Sequence, residues 1–312
     1  MKTKVLLLLS AIGFAFASCN NKAPEAIELE NTCAYPLEME KYTFSDSSKY
    51  AMIDINLSIP VAKDSISQII RDTLINIIAD RLQNCQNVED KPLIARYSGD
   101  DKDAKSMFDY YSKAIYKIVK SGGEEDFNNR VEMWDEDTTL TETEVEENKN
   151  LVFPFDYEMN VTKTFEDSTY VVFYGQEYEF SGGVHGGVFG LGGLTFRFSD
   201  GSKVNGFLKD NVTKAMQPLL KKGLKEYFSE MEESPIKTDK QLMDELLLDS
   251  NEDIPLPVWM PYPDEKGKGL SFVYQQYEIA SYADGMPSFV LTWDELKPFL
   301  KEDILEEMKL SE

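Results

Sequence analysis

The chain has 312 residues, with 56 acidic side chains against 32 basic ones and a formal net charge of −24 at pH 7. Hydrophobic residues make up 42% of it and aromatic residues 12%, which is ordinary for a globular protein and excludes wholesale disorder. So negative a charge argues against binding to nucleic acid and against direct adsorption to an anionic bilayer. A charge of this size is typical either of a protein that stays highly soluble or of one that binds a cationic partner.

The N-terminus has the pattern of an exported, lipid-anchored protein. A basic start precedes an apolar run over residues 5–17, which is shorter than the ~20 residues that a transmembrane helix needs. Residues 16–19, Phe-Ala-Ser-Cys, resemble a bacterial lipoprotein box, in which the cysteine thiol is acylated after cleavage. We therefore expect a lipoprotein signal peptide over residues 1–18, lipid attachment at Cys19 and a tether over residues 19–32.

The same segment predicts where the protein is located. Each acyl methylene buried in a membrane contributes about 0.8 kcal/mol, so several chains give a lasting anchor. The residue after Cys19 is Asn20 and not Asp, and by resemblance to the sorting rules of such lipoproteins this favours the outer membrane. We expect a cell-envelope protein that contacts the membrane through its lipid anchor only.

Cys33 and Cys85 are the two other cysteines. An even pair in an oxidising compartment predicts a disulfide between them. Neither belongs to a Cys-x-x-Cys pair, so the sequence gives no support for a thioredoxin-like site or for a thiolate zinc site.

The first half of the mature chain predicts a strand followed by two helices. Apolar and polar residues alternate over residues 53–60, as in a half-buried strand with one face in water. Isoleucine and leucine recur at helical spacing over residues 66–82, and a second helix is predicted over residues 103–120, where Ser121-Gly122-Gly123 should end it. Residues 124–150 are acidic, and we expect part helix and part solvated loop, without the spacing of a calcium-binding loop.

After residue 151 the pattern changes to long alternating stretches that predict β structure. Strands are predicted over residues 153–165, 169–180, 194–198, 270–282 and 288–291, and helices over residues 211–229, 240–248 and from 292 onwards. Hairpins followed by helices, without strict β-α-β alternation, indicate the α+β class, with helices packed on a largely antiparallel β-sheet. We expect an N-terminal α+β part over residues 33–150 and a C-terminal one over residues 151–312, which share one compact unit.

Most enzyme templates are excluded because the chain has a single histidine, His185. A zinc site of several imidazoles is impossible, and the motif His-Glu-x-x-His is absent. No nucleotide-binding glycine loop occurs between a predicted strand and a predicted helix. Ser181 lies four residues away, but the Gly-x-Ser-x-Gly elbow of serine hydrolases is missing. Carboxylates are too abundant to indicate glycoside cleavage. We therefore predict no catalytic residues, no metal and no cofactor.

The most unusual segment is rich in glycine. Seven glycines fall between Gly182 and Gly193, and the only histidine lies among them. Such density indicates backbone angles that other residues avoid, or the close approach of a second surface. One interpretation is a tight connection in which His185 satisfies buried backbone groups, and the other is a binding loop. The predicted strands nearby carry tyrosines that, taken singly, are more typical of a core than of a contact surface: Tyr174, Tyr178, Tyr277 and Tyr282.

Two runs in the second half match the signatures of a known family. Residues 178–186, Tyr-x-x-Ser-Gly-Gly-Val-His-Gly, resemble its Tyr-x-x-[Ser/Thr]-Gly-Gly-Ala-His signature, with Val184 in place of the usual alanine. Residues 272–285 resemble its second signature, and residues 289–300 resemble its closing strand and helix. The chain thus resembles the extracytoplasmic domain shared by the lysozyme-sensing anti-sigma factor RsiV and the non-catalytic part of the peptidoglycan deacetylase PdaC.

This resemblance implies a binding module. The sensing member binds lysozyme through its exterior part, so the expected partner is a basic protein such as lysozyme, or a peptidoglycan fragment. We do not expect the anti-sigma or deacetylase activities to carry over, since the segments responsible have no counterpart in this sequence. The ligand-binding candidates are Tyr178, Ser181, Gly182, Gly183, His185, Gly186, Tyr277 and Tyr282. The alternatives are an envelope glycan hydrolase or deacetylase-like enzyme, with His185 in proton transfer, and a scaffold of an outer-membrane assembly.

Overall fold

The computed structural model describes residues 36–85, 93–99, 103–231, 235–249 and 251–310. The predicted signal peptide, the lipid attachment site Cys19, the tether and Cys33 lie outside these residues. Lipid attachment and the disulfide between Cys33 and Cys85 therefore stay predictions. Within the described ranges, no helix combines the length and the apolar character that a membrane crossing requires.

A five-stranded sheet and three helices form the first part of the fold. The strands are β1 (Met39–Ser47), β2 (Ala51–Pro60), β3 (Phe155–Glu166), β4 (Tyr170–Phe180) and β5 (Gly187–Arg197), and the helices are α1 (Ser65–Gln83), α2 (Ala104–Glu136) and α3 (Glu142–Lys149). The strands lie in sequence order, and each neighbouring pair is antiparallel except β2 and β3, which are parallel. The sheet joins strands from both sides of the predicted boundary at residue 150.

A smaller sheet and four helices form the second part. Its elements are α4 (Thr213–Met231), α5 (Asp239–Glu245), β6 (Tyr262–Pro263), β7 (Gly269–Val273), β8 (Ser288–Thr292), α6 (Trp293–Leu296) and α7 (Glu302–Glu307). The three strands are antiparallel in the order β6-β7-β8, and α4 packs against them. Two sheets with helices packed on them confirm the predicted α+β class.

The large sheet has one buried face and one open face. In β2 the side chains of Ile53, Ile55 and Leu57 enter the core beneath α1 and α2, whereas Met52 and Asp54, on either side of Ile53, are exposed. This period of two is what the sequence predicted for a half-buried strand, and it holds as far as Leu57. From Leu57 to Pro60 every residue is buried, so the predicted exposure of Ser58 and Pro60 is wrong. The same alternation continues through β3, so a row of polar side chains lies along the open face of the sheet.

The core side of the sheet also holds one buried carboxylate, Glu177, which is 1% exposed. It accepts a hydrogen bond of 2.5 Å from the hydroxyl of Tyr157 and forms an ion pair with Arg81 of α1. Cys85, the only cysteine among the described residues, is buried near these groups. Burial and the nearby carboxylates Glu179 and Glu177 raise the pKa of its thiol, which makes the thiolate scarce.

Helix α2 does not end where the sequence predicted. It runs on through Ser121-Gly122-Gly123 to Glu136, so the predicted end at these residues is wrong. The reason lies in tertiary packing, because a Cβ added to Gly123 would lie 2.1 Å from the carbonyl oxygen of Tyr50 in the turn between β1 and β2. Position 123 is a glycine because α2 crosses the backbone of the β1–β2 turn closely there. Phe127, one helical turn later, packs on the ring of Tyr50.

The strand predicted over residues 270–282 is also shorter than expected. β7 ends at Val273, and the chain then forms a turn at residues 275–278 and a 3-10 turn at Tyr282–Asp284. Tyr277 and Tyr282 are therefore not strand residues, which corrects the sequence interpretation. The capping box predicted at residue 292 is present at α6, with the Thr292 hydroxyl and the Glu295 carboxylate bonded to each other's backbone N–H groups. The helix predicted from there onwards ends at Leu296, and α7 follows as a separate helix.

Replacing Gly123 by alanine should destabilise the protein. An alanine normally stabilises a helix interior by about 1 kcal/mol relative to glycine. Here the added methyl would overlap the Tyr50 carbonyl oxygen, and overpacking of this kind costs typically 1–3 kcal/mol. The free energy of unfolding, measured by urea denaturation, should fall.

The neighbouring glycine provides the matched control. In Gly122→Ala the added Cβ would lie 3.1 Å from the ring of Phe155, a side chain that can shift. Gly122→Ala should therefore cost less than Gly123→Ala. Equal values for the two variants would contradict the proposed crossing of α2 over Tyr50.

Candidate functional site

The loop between β4 and β5 is built on two left-handed glycines. Gly182 has a φ of 92° and Gly183 a φ of 90°, a region that side chains other than glycine rarely adopt. Next to them Val184 projects into solvent and is 99% exposed. The glycines of the signature are thus needed to hold a hydrophobic side chain outside the core.

The loop returns to β5 across an aromatic ring. A Cβ added to Gly186 would lie 2.5 Å from the ring atoms of Tyr178, so the loop backbone rests directly on that ring. Tyr178 belongs to the end of β4 and pairs with Val188 of β5. The spacing of Tyr178 and Gly186 in the signature is therefore explained by one contact between a ring and a glycine.

His185 lies on the surface and bridges the two signature segments. Its Nδ1 is 2.9 Å from the carbonyl oxygen of Gly186, and its Nε2 is 3.2 Å from the hydroxyl of Tyr277. Its ring stacks on Tyr282, with 3.8 Å between ring centroids and 21° between the planes. A carbonyl only accepts, so in the neutral imidazole this geometry assigns the proton to Nδ1 and leaves Nε2 to accept from the Tyr277 hydroxyl.

Tyr277 has a backbone conformation that is unusual for a bulky residue. Its φ of 63° lies in the left-handed region, where a side chain with a Cβ costs roughly 1–2 kcal/mol. The turn around it is held by Glu278, whose carboxylate accepts hydrogen bonds from the backbone N–H of Gln275 at 2.8 Å and of Val258 at 2.6 Å. Gln276 in turn accepts from the N–H of Val188, which fastens the turn to β5. Strain of this kind is typical of functional positions.

A groove of about 340 Å³ lies beside His185 at the end of the large sheet. We call it the His185 groove. Its walls are largely apolar and aromatic, and they are formed by Met52, Phe153, Pro154, Asp156, Tyr178, Phe180, Val184, His185, Gly186 and Tyr282. Several of these side chains are unusually exposed, with Phe153 at 53% and Met52 at 42%.

Carboxylates on the open sheet face make this end of the molecule negative. Asp54 of β2 lies opposite Glu158 of β3, and Asp156 lies two residues earlier. Burial, followed by the charges of Glu158 and Asp54, raises the pKa of Asp156. None of the three forms an ion pair with another described residue. Like charges on neighbouring strands repel each other, so a cation bound here would relieve that repulsion.

The structure brings most of the predicted site residues together. Tyr178, Gly186, His185, Tyr277 and Tyr282 are linked one to the next through the ring contacts and hydrogen bonds above. Ser181, Gly182 and Gly183 belong to the same loop but do not line the His185 groove. Sequence reasoning missed Met52, Phe153, Asp156 and the supporting Glu278. The first three carry no motif, and only the pairing of β2 with β3 places them at the groove. Among the described residues, no cluster of three or more His, Cys, Asp or Glu side chains could hold a metal ion.

Comparison with known proteins gives a family domain and a fold. Residues 205–294 match the family described as "Protein of unknown function (DUF3298)", so a DUF3298 domain is present in this part of the chain. Tyr277 and Tyr282 lie inside the matched range, whereas the glycine loop lies outside it. No curated protein sequence matches the chain.

Two solved structures are similar to this one. A DUF3298 family member from Bacteroides fragilis has a TM-score of 0.60 and 16% sequence identity, covering 88% of this chain and 98% of that chain. A DUF3298 family protein from Pseudomonas aeruginosa has a TM-score of 0.50 and 11% identity, covering 86% of this chain and 96% of that chain. At these identities the likeness concerns the fold alone.

Replacing Tyr277 by glycine should not destabilise the protein. The change relieves the left-handed strain, and it removes a side chain that is 57% exposed and so buries little. We expect the free energy of unfolding to stay unchanged or to rise by up to ~1 kcal/mol.

Tyr282→Gly is the matched control, because Tyr282 is half-buried, stacks on His185 and has no left-handed φ. It should lower the free energy of unfolding. A clear loss of stability in Tyr277→Gly would show that the tyrosine is retained for folding rather than for the surface it forms.

Proposed function

We propose that this protein is a lipid-anchored binding protein of the cell envelope that captures a cationic protein, with lysozyme as the representative, through the His185 groove. The observation that carries the proposal is the groove itself. Exposed apolar and aromatic side chains stand beside three carboxylates that no described cation neutralises. The resemblance to the exterior domain of RsiV suggests lysozyme as the first partner to test.

The exposure of apolar side chains is the first argument. Two glycines with left-handed φ angles hold Val184 almost entirely in solvent, and Phe153 and Met52 extend the apolar surface next to it. A contiguous exposed apolar patch rimmed by polar groups is typical of an interaction site. Burying one such side chain against a partner contributes roughly 1.5–3 kcal/mol.

The charge beside the groove is the second argument. Asp54, Asp156 and Glu158 lie on adjacent strands of one open face, and the chain as a whole carries −24. Such a field steers a basic protein towards the groove and raises the association rate more than the affinity. The effect should weaken with salt, because the Debye length falls to about 10 Å at 0.1 M.

The rigidity of the aromatic surface is the third argument. The His185 ring is fixed by two hydrogen bonds and by stacking on Tyr282, and Tyr277 is fixed by the turn that Glu278 and Gln276 hold. Side chains ordered before binding lose little conformational freedom on association. Tyrosines placed in this way are common among the residues that dominate binding energy.

The geometry favours binding over proton transfer. Both imidazole nitrogens of His185 already face oxygen atoms, Nδ1 the Gly186 carbonyl and Nε2 the Tyr277 hydroxyl. A general base needs a nitrogen within reach of the substrate proton. Turnover of peptidoglycan fragments that disappears in His185→Ala would favour the hydrolase alternative instead.

The proposal predicts that Val184→Ser weakens lysozyme binding at least about tenfold, because an exposed apolar contact is lost without a change of charge. The measurement is isothermal titration of the full-length protein in detergent with lysozyme at about 0.1 M salt. Because the Val184 side chain is 99% exposed, the substitution should leave folding intact. Asp156→Asn should slow association and reduce its salt dependence.

Ile69→Ser is the matched control. Ile69 is also an exposed aliphatic residue, 45% exposed, but it lies on α1 at the opposite face of the sheet. It should leave binding within about twofold. The proposal fails if lysozyme does not bind, if both variants lose binding equally, or if every basic protein binds alike and is released by salt.

A further inference from the structure

We propose that the cleft between the two sheets is a second binding site, for a neutral saccharide. This inter-sheet cleft lies on the open face of the large sheet, at the other end of β3 and β4 from the His185 groove. Five hydroxyl side chains line it: Thr164, Tyr174, Tyr262, Ser271 and Ser288. The proposal goes beyond the function proposed above and does not rest on it.

The topology turns polar side chains of both sheets into this cleft. In β7 the neighbours Leu270 and Phe272 are buried in the core beneath α4, so Ser271 between them faces the other way. Thr164 and Tyr174 come from β3 and β4 on the opposite wall. The volume is about 480 Å³, within the usual range of about 300–1,000 Å³ for small-molecule sites.

Thr164 is the residue that most clearly indicates a ligand. The pairing of β3 with β4 shifts between Lys163 and Phe165, which leaves Thr164 as the extra residue of a β-bulge. Its hydroxyl oxygen is inaccessible to solvent and has no hydrogen-bond partner in the described structure. Bulges re-aim side chains and are frequent beside binding sites. A buried hydroxyl without a partner is costly, so a rotation of the side chain about χ1 that presented the hydroxyl to a ligand oxygen in the cleft would remove a penalty.

The aromatic wall of the cleft depends on glycine. A Cβ added to Gly193 would lie 2.0 Å from the ring of Tyr262, so that ring lies directly on the backbone of β5. Tyr174 is adjacent, with 5.8 Å between the two ring centroids. Burial raises the pKa of both phenols, so both remain neutral donors and acceptors at physiological pH.

The lining selects a neutral hydroxylated ligand. Hydroxyl groups both donate and accept hydrogen bonds, as the hydroxyls of a sugar do, and tyrosine rings offer an apolar surface for the C–H groups of a sugar ring. Charge is balanced, with Glu265 and Lys266 both present. The third ionic group, Asp264, is occupied within the fold, since its carboxylate accepts from the N–H groups of Lys268 at 2.5 Å and Gly269 at 2.9 Å. The cleft therefore lacks the excess of carboxylates found at the His185 groove.

The test is titration of the full-length protein with two neutral trisaccharides, N-acetylated chitotriose and cellotriose, followed by saturation-transfer NMR. We expect at least one to bind with a dissociation constant of about 1 mM or tighter. Thr164→Val keeps the shape of the side chain and removes its hydroxyl, and it should weaken binding about tenfold. The proposal is overturned if neither sugar binds the wild-type protein, or if Thr164→Val binds as the wild type does.

Two further measurements separate a ligand contact from a structural role. Thr162→Val is the matched control, because Thr162 is an exposed threonine on the same face of β3 outside the cleft lining; it should bind sugar normally. Thr164→Val should also raise the urea midpoint of the free protein, although the variant binds sugar less well. If the hydroxyl had a structural role instead, its removal would lower the urea midpoint. The Thr164→Val variant should bind lysozyme as the wild type does. A failure of the sugar proposal can therefore be distinguished from a failure of the lysozyme proposal.

Discussion

The parallel pairing of β2 with β3 is the constraint on which the rest of the structure depends. It joins strands that the whole of α1, α2 and α3 separates along the chain, and its register sets Ala51 opposite Phe155. A slip of one residue would exchange the two faces of β3. Tyr157 would then leave its buried contact with Glu177, and Asp156 would enter the core. Core packing thus fixes which side chains line the open face and the His185 groove.

The surface around His185 is organised from the side of the smaller sheet as well. The turn at residues 275–278 holds Tyr277 in a left-handed conformation that costs roughly 1–2 kcal/mol, and the compensation comes from hydrogen bonds of Glu278 and Gln276 to backbone groups of other segments. Because these bonds reach Val258 and Val188, the position of the tyrosine depends on both parts of the fold. The two signature segments act as one unit only when the sheets are assembled.

Sequence reasoning found the elements with local signals and missed those set by distant contacts. The alternation in β2, the helical stripe of α1 and the capping box at Thr292 are local patterns, and the structure has all three. A local pattern predicts the end of a helix at Gly123, because it carries no information about the carbonyl of Tyr50, which lies more than 70 residues earlier in the chain. Phe153 and Asp156 were missed at the site for the same reason. The eight signature residues were recognisable because their glycines and tyrosines are spaced for contacts within and between two short segments.

The outward-facing side chains of β3 explain how one sheet face can offer two different chemical surfaces. In order along the strand they are Asp156, Glu158, Asn160 and Thr162, and the bulge then adds Thr164. Carboxylates thus give way to an amide and then to hydroxyls over about 25 Å, at roughly 3.3 Å per residue. The acidic end lies beside exposed aromatic rings, where a cation gains most from the field of the chain. The hydroxyl end lies between two sheets, where Asp264 is bonded within the fold, Glu265 and Lys266 balance each other, and neutral hydrogen bonds are favoured. A strand with carboxylates along its full length would extend the acidic surface into the cleft, and one with hydroxyls throughout would leave the His185 groove without its field.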